Sequence, residues 1–159
     1  MNLRVVILFP FSVLYGLILR VRHALYDGGW IHSEAGALPT LVVGNLATGG
    51  SGKTPFTEWL CAHLAGRSNI AVLSRGYGRN TKGFYWVKPS DTAQERGDEP
   101  VQISRKFPSI PVAVCEDRIK GIRQIASIHP NLNLVILDDA YQHRKLRGDI
   151  NVLLTEFQR

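Results

Sequence analysis

Cysteine is scarce in this chain. Cys61 and Cys115 are the only two, they stand far apart, and no C-x-x-C pair occurs. That argues against a zinc ribbon, a thioredoxin-like redox site and a disulfide-stapled secreted scaffold, and leaves two free buried thiols in a reducing compartment as the simplest reading. There is no internal repeat and no low-complexity tract. Charged residues make up 20% and hydrophobic residues 45%, ordinary globular usage, which excludes a disordered or fibrous chain. Acidic residues are outnumbered, 13 against 19 basic, for a net charge of +6 and a pI near 9.6. Such a surface attracts phosphate on nucleotide, nucleic acid or anionic lipid. The basic charge is dispersed and no nucleic-acid-reading motif is present, so a nucleic-acid partner is not expected. A length of 159 residues allows one domain with a core of its own.

A long hydrophobic run is also missing. Residues 5–19, VVILFPFSVLYGLIL, carry no charge, with Arg4 before them and Arg20, Arg22 and His23 after. As a helix the run would span about 22 Å, short of the ~30 Å hydrocarbon core. Pro10 and Gly16 are expected to interrupt it. Arg20-Val21-Arg22 stands where a signal peptide would carry small residues for cleavage. Two readings remain: a helix at or dipping into a membrane with arginines among the headgroups, or an apolar helix packed on the rest of the protein. The expected organisation is a membrane-contacting helical segment over 1–30 and a nucleotide-binding core over 31–159.

The core opens with Leu41-Val42-Val43, a buried parallel strand in pattern. Gly44-Asn45-Leu46 follows, then Ala47-Thr48-Gly49-Gly50-Ser51-Gly52-Lys53-Thr54. This is the phosphate-binding loop pattern with alanine in its first position. Gly49, Gly50 and Gly52 let backbone N–H groups turn inward around phosphate oxygens. Lys53 brings a positive charge to the β- and γ-phosphates, and the Thr54 hydroxyl suits Mg²⁺. Pro55 sits in the first turn of the helix that follows, where its missing N–H costs little. That helix runs through Trp59, Leu60 and Leu64 and stops at Gly66, and its N-terminus favours anions.

A second strand, residues 132–137, ends in Asp138-Asp139. Carboxylates at the end of a buried strand are the arrangement that reaches Mg²⁺ directly or through water. Alternatively, one of the pair caps the next turn. Further strands are expected at 70–73, 83–87, 112–115 and 150–154, a helix opening at Pro100, and another over 117–128. The fold class is α/β: a P-loop NTPase-type parallel sheet flanked by helices, with an N-terminal membrane-associated helix.

Four motifs then stand in order. Gly44-Asn45-Leu46 runs into Gly49–Pro55. Ser74-Arg75-Gly76-Tyr77-Gly78-Arg79 follows the strand expected at 70–73. Gly97-Asp98-Glu99-Pro100 comes next, and Asp138-Asp139-Ala140-Tyr141-Gln142-His143-Arg144 last. Together with Phe9-Pro10-Phe11-Ser12 and the arginines beyond it, the set resembles the tetraacyldisaccharide 4′-kinases. Two positions depart from that family: Ala140 and Tyr141 stand where it carries Gly and Phe. Alanine there requires a negative φ. Family members are about twice as long, so the chain reads as an N-terminal portion. The resemblance implies that the family's catalytic histidine lies beyond it and is not His143.

The resemblance also implies an activity and a set of roles. ATP would give its γ-phosphoryl to the 4′-hydroxyl of a tetraacyl glucosamine disaccharide 1-phosphate, yielding lipid IVA at the cytoplasmic face of the bacterial inner membrane, with peripheral or monotopic attachment. Residues 47–54 would hold the triphosphate. Thr54 with Asp138 or Asp139 would hold Mg²⁺, supported by Gln142. Asp98 would accept the hydroxyl proton, or else serve only as a cap or surface acid. Arg75 and Arg79 suit a phosphate, and Tyr77 a sugar face. Arg118 and His143 are further substrate candidates. Alone, such a portion is expected to bind Mg-ATP weakly and to transfer little phosphate. The competing readings are a membrane-associated P-loop ATPase or GTPase switch and a non-catalytic nucleotide-binding module.

Overall fold

The computed structural model describes residues 3–45 and 52–155, with side chains from Phe9 onward. The chain divides into two units, Met1–Ser33 and Glu34–Arg159.

The first unit is one helix, α1 (Leu3–Asp27), followed by a turn. It runs unbroken through Pro10 and Gly16, contrary to the expected interruption. Proline's missing N–H and steric clash cost about 3 kcal/mol once, whereas residues 11–27 each add to a helix already nucleated. Phe9, Phe11, Val13, Leu14, Leu17, Ile18 and Val21 are all exposed. At 100° per residue they form one broad face, an arc of about 200° and wider than a narrow stripe. Among the described residues no helix is long and apolar enough to cross a membrane.

The second unit runs β1 (Glu34–Ala35), β2 (Thr40–Asn45), α2 (Lys53–Leu64), β3 (Ile70–Ser74), β4 (Tyr85–Val87), α3 (Ala93–Arg96), α4 (Asp98–Lys106), β5 (Val112–Val114), α5 (Arg118–Ile128), β6 (Leu134–Leu137), β7 (Leu146–Arg147) and β8 (Ile150–Leu154). Six strands form a sheet in the order β4-β5-β3-β6-β2-β8. Every neighbouring pair is parallel except β4 with β5. β1 and β7 pair as a separate short parallel ladder. The expected parallel α/β sheet is therefore present.

Alternation along the strands sends one set of side chains to each face. Val43, Val72, Val112, Val114 and Ile136 pack with Leu60 and Cys61 of α2 and with Val101 and Ile103 of α4. Val42, Ala71, Leu73, Ala113, Val135 and Leu137 pack with Ile119, Ile122 and Ile125 of α5. Both faces are covered, which is why these strands read as continuous apolar runs.

Two brackets fix the frame. Asp149 Oδ2 accepts from both the backbone N–H and the hydroxyl of fully buried Thr40, each at 2.9 Å, tying the approach to β8 onto the start of β2. Asp117 caps α5 by accepting from the Lys120 N–H. α4 begins at Asp98, two residues before the expected start. Pro100 therefore takes the third helical position, where a missing N–H is still harmless.

Candidate active site

The parallel strands all end on one side of the sheet, the side on which open α/β sheets gather their ligands. β2 ends at Asn45 and leads toward the glycine-rich loop. Leu46, Ala47, Thr48, Gly49, Gly50 and Ser51 lie outside the described residues. Gly52 caps α2, and Lys53 and Thr54 form its first turn.

Lys53 and Thr54 meet acids from two other elements. Lys53 Nζ lies 3.6 Å from Asp139 Oδ1, just past the end of β6. Thr54 Oγ1 donates to Glu99 Oε1 at 2.9 Å, in the first turn of α4. One turn further along α2, buried Thr57 donates its hydroxyl to Asp138 Oδ1 at 3.1 Å. α2, α4 and the end of β6 thus converge on one place.

The two aspartates differ. The Asp138 side chain is buried and its Oδ2 has no hydrogen-bond partner. Burial foremost, then the nearby Glu99 charge, push its carboxyl up to about 6, against the Thr57 hydrogen bond. Asp139 is mostly exposed and adopts a left-handed φ of 50°. Among the described residues no three His, Cys, Asp or Glu side chains form a ready-made metal site. Mg²⁺ does not need one, because it takes one or two carboxylates and completes its shell with water and phosphate. The orphaned, buried Asp138 Oδ2 and the Thr54 hydroxyl are donors of the right kind, so the residues present fit that ion.

The remaining candidates separate by exposure. Asp98 is exposed at the first position of α4. Arg75 and Tyr77 are exposed on the loop after β3, and Tyr77 is 87% accessible. Arg79, from the same loop, is committed internally. Its side chain is 2% exposed, donates to Glu116 Oε1 at 2.5 Å and to the Gly83 carbonyl at 2.6 Å, and lies over the Tyr85 ring. Arg118 is buried as well. It donates to the Cys115 carbonyl at 2.6 Å and to the Asp138 carbonyl at 3.5 Å. Burial, with Arg75 nearby, lowers its guanidinium to about 10. Both arginines hold the strand ends and loops that carry the site. Gln142 is exposed and His143 half-buried in the turns after Asp139.

Ala140 meets its condition, because Asp139 is the only non-glycine residue with positive φ among those described. Tyr141 lies against Gly44. A Cβ on Gly44 would stand 2.3 Å from the Tyr141 Cβ, so only glycine lets β2 pass. Glu99 is not singled out by the sequence. Beside Asp98, no residue pattern distinguishes the acid that reaches Thr54 from the one that does not.

The family model for tetraacyldisaccharide-1-P 4′-kinase matches residues 4–159. The chain belongs to that family. The tetraacyldisaccharide 4′-kinase of Cytophaga hutchinsonii is 48% identical over 154 residues, which cover 96% of this chain and 44% of the relative. That of Bacteroides thetaiotaomicron is 44% identical over 153 residues, 96% of this chain and 40% of the relative. In fold, the chain is similar to LpxK from Aquifex aeolicus, solved in complex with ATP. The TM-score is 0.82 at 39% identity, over 92% of this chain and 47% of that one. The chain thus spans less than half the length of these 4′-kinases. The motifs that carried the resemblance lie inside the matched region, and the described residues of the four motifs in the second unit gather on the side where the parallel strands end.

Proposed function

We propose that this chain forms the nucleotide-binding part of an ATP-dependent lipid kinase, one that phosphorylates the 4′-hydroxyl of a tetraacyl glucosamine disaccharide 1-phosphate to give lipid IVA. The observation that carries this reading is the meeting of Lys53 and Thr54 with Asp139, Glu99 and, through Thr57, Asp138.

Phosphoryl transfer asks a protein mainly for positioning and charge neutralisation. Lys53 supplies positive charge to the triphosphate, with Asp139 beside it to orient the ammonium. Residues 47–52 are assigned to the phosphates by sequence pattern. Thr54 and Asp138 would hold Mg²⁺, with Glu99, the hydrogen-bond partner of Thr54, and Gln142 in support. When bound, Mg²⁺ neutralises charge on the phosphate oxygens. Asp98, exposed where α4 starts, accepts the proton of the attacking hydroxyl. Arg75 and Tyr77 face solvent on the neighbouring loop and are available to a phosphate and a sugar face of the acceptor. Helix α1, with a broad exposed apolar face and with Arg20 and Arg22 in its C-terminal third, lies at the cytoplasmic face of the inner membrane, where a lipid acceptor resides.

Mg-ATP binding and transfer of γ-labelled phosphate to the lipid disaccharide test the reading, on this chain and on a longer protein containing it. Lys53→Ala is expected to weaken Mg-ATP binding at least tenfold. Asp98→Asn is expected to leave binding intact and to abolish labelling of the lipid by the longer protein. Free phosphate release without lipid labelling would favour a membrane-associated switch instead.

A further inference from the structure

We propose that Thr57 is the positioning residue of the metal site: its hydroxyl engages Asp138 Oδ1 and so leaves Oδ2 as the oxygen for the cation. The inference rests on Asp138 as a holder of Mg²⁺.

Thr57 lies outside the phosphate-loop motif, three residues after Thr54 and on the same side of α2. It is fully buried, among residues that pack on the sheet. A threonine inside a helix commonly returns its hydroxyl to a carbonyl of the preceding turn. Here the hydroxyl reaches across 81 residues of sequence to Asp138 Oδ1, at 3.1 Å. The other carboxylate oxygen is equally buried and has no partner. The backbone of the same residue is pinned separately. Its N–H donates to the Leu73 carbonyl at 3.1 Å, and Arg118 donates to its own carbonyl. With the main chain fixed, the freedom left to Asp138 is rotation of its side chain, and the Thr57 hydroxyl is the hydrogen bond that holds that rotation. A neutral hydroxyl does this without adding a charge that would compete with the cation. Partners of this kind orient a metal ligand and typically change metal affinity 10–100-fold when removed.

The test reads metal uptake rather than turnover. Mn²⁺ is titrated into the chain with a non-hydrolysable ATP analogue and followed by electron paramagnetic resonance. Thr57→Val, which keeps the shape and removes the donor, is expected to weaken Mn²⁺ binding at least tenfold while metal-free analogue affinity stays within twofold. Thr57→Ser, which keeps the donor, is expected to bind Mn²⁺ within threefold of the parent. Should Thr57→Val not fold, Thr57→Ser against Thr57→Ala carries the same comparison, since those two differ only by the hydroxyl. Mn²⁺ uptake that needs Asp138, shown by Asp138→Asn, but is indifferent to the Thr57 hydroxyl overturns the inference alone. Mn²⁺ uptake that is absent from the parent, or unchanged in Asp138→Asn, overturns the reading of Asp138 and the inference with it.

Discussion

Thr54 Oγ1 donates to Glu99 Oε1 across 2.9 Å, so a single hydrogen bond joins the first turn of α2 to the first turn of α4. These turns carry the phosphate-loop lysine and the candidate base Asp98, from opposite sides of β3 in the chain. Both helix starts present partial positive charge, which favours acids near them. Glu99 also acts on Asp138 through space and helps raise its pKa. The site is thus crowded with negative charge, which a cation would relieve.

Burial, with that crowding added, has a measurable cost. Asp138 is raised from an ordinary value near 3.8 to about 6, so the folded state holds its proton more tightly than the unfolded state does. Its contribution to stability is complete below about pH 4 and lost as pH rises through 6. At 1.36 kcal/mol per pH unit, the ionised group weighs on the fold by about 3 kcal/mol at pH 7.5. Asp138→Asn should therefore stabilise the metal-free chain at pH 7.5 and do much less at pH 4. Urea titrations at the two pH values check this. Equal effects at both would contradict the assignment.

Arg79 and Arg75 stand four residues apart and should behave oppositely. Arg79→Ala removes a buried fork from Glu116 and from the Gly83 carbonyl and is expected to cost about 2 kcal/mol or more. Arg75 is exposed, and Arg75→Ala should fall within about 0.5 kcal/mol of the parent. Denaturation midpoints decide the point.

Gly97 has φ 93°, and a Cβ there would stand 2.9 Å from the Cα of Gly76. The loop bearing Arg75 and Tyr77 therefore rests directly on the backbone that introduces Asp98. Gly97→Ala is expected to destabilise the chain by about 2 kcal/mol or more, from strained φ and the forced separation together. An unchanged denaturation midpoint would mean that the two backbones separate freely.

Deleting residues 1–33 should abolish co-sedimentation with anionic vesicles and leave Mg-ATP affinity within twofold. The exposed apolar residues of α1 and its arginines are the membrane-seeking features of the first unit, and the nucleotide residues lie in the other. Persistent sedimentation would place the lipid contact elsewhere.

Strands buried on both faces are legible because continuous apolar runs such as residues 70–73 and 134–137 admit few other folds. β1 and β7 are not, since two-residue ladders such as Glu34–Ala35 and Leu146–Arg147 leave no periodicity. The start of α4 reads two residues late because Pro100 marks the first turn, not the first residue. At the site, Lys53, Thr54 and the aspartate pair are readable from spacing. Burial alone separates Asp138 from Asp139, and no spacing reports burial. Arg79 and Arg118 look in sequence like forks for a ligand. In the fold, carbonyls and Glu116 occupy them.

The strand that leads into the phosphate loop has neighbours that are made late. β2 is flanked by β6 and β8, and its N-terminal residue is bracketed by Asp149. A ribosome adding about 5–20 residues per second needs roughly 5–20 s between residue 45 and residue 154. Thr40–Asn45, a segment bound for the interior of the sheet, has neither flanking strand until β6 is made and only one of the two until β8 follows. Nascent chains should accordingly bind nucleotide only after β8 has emerged, and shorter arrested chains should be the ones that chaperones hold.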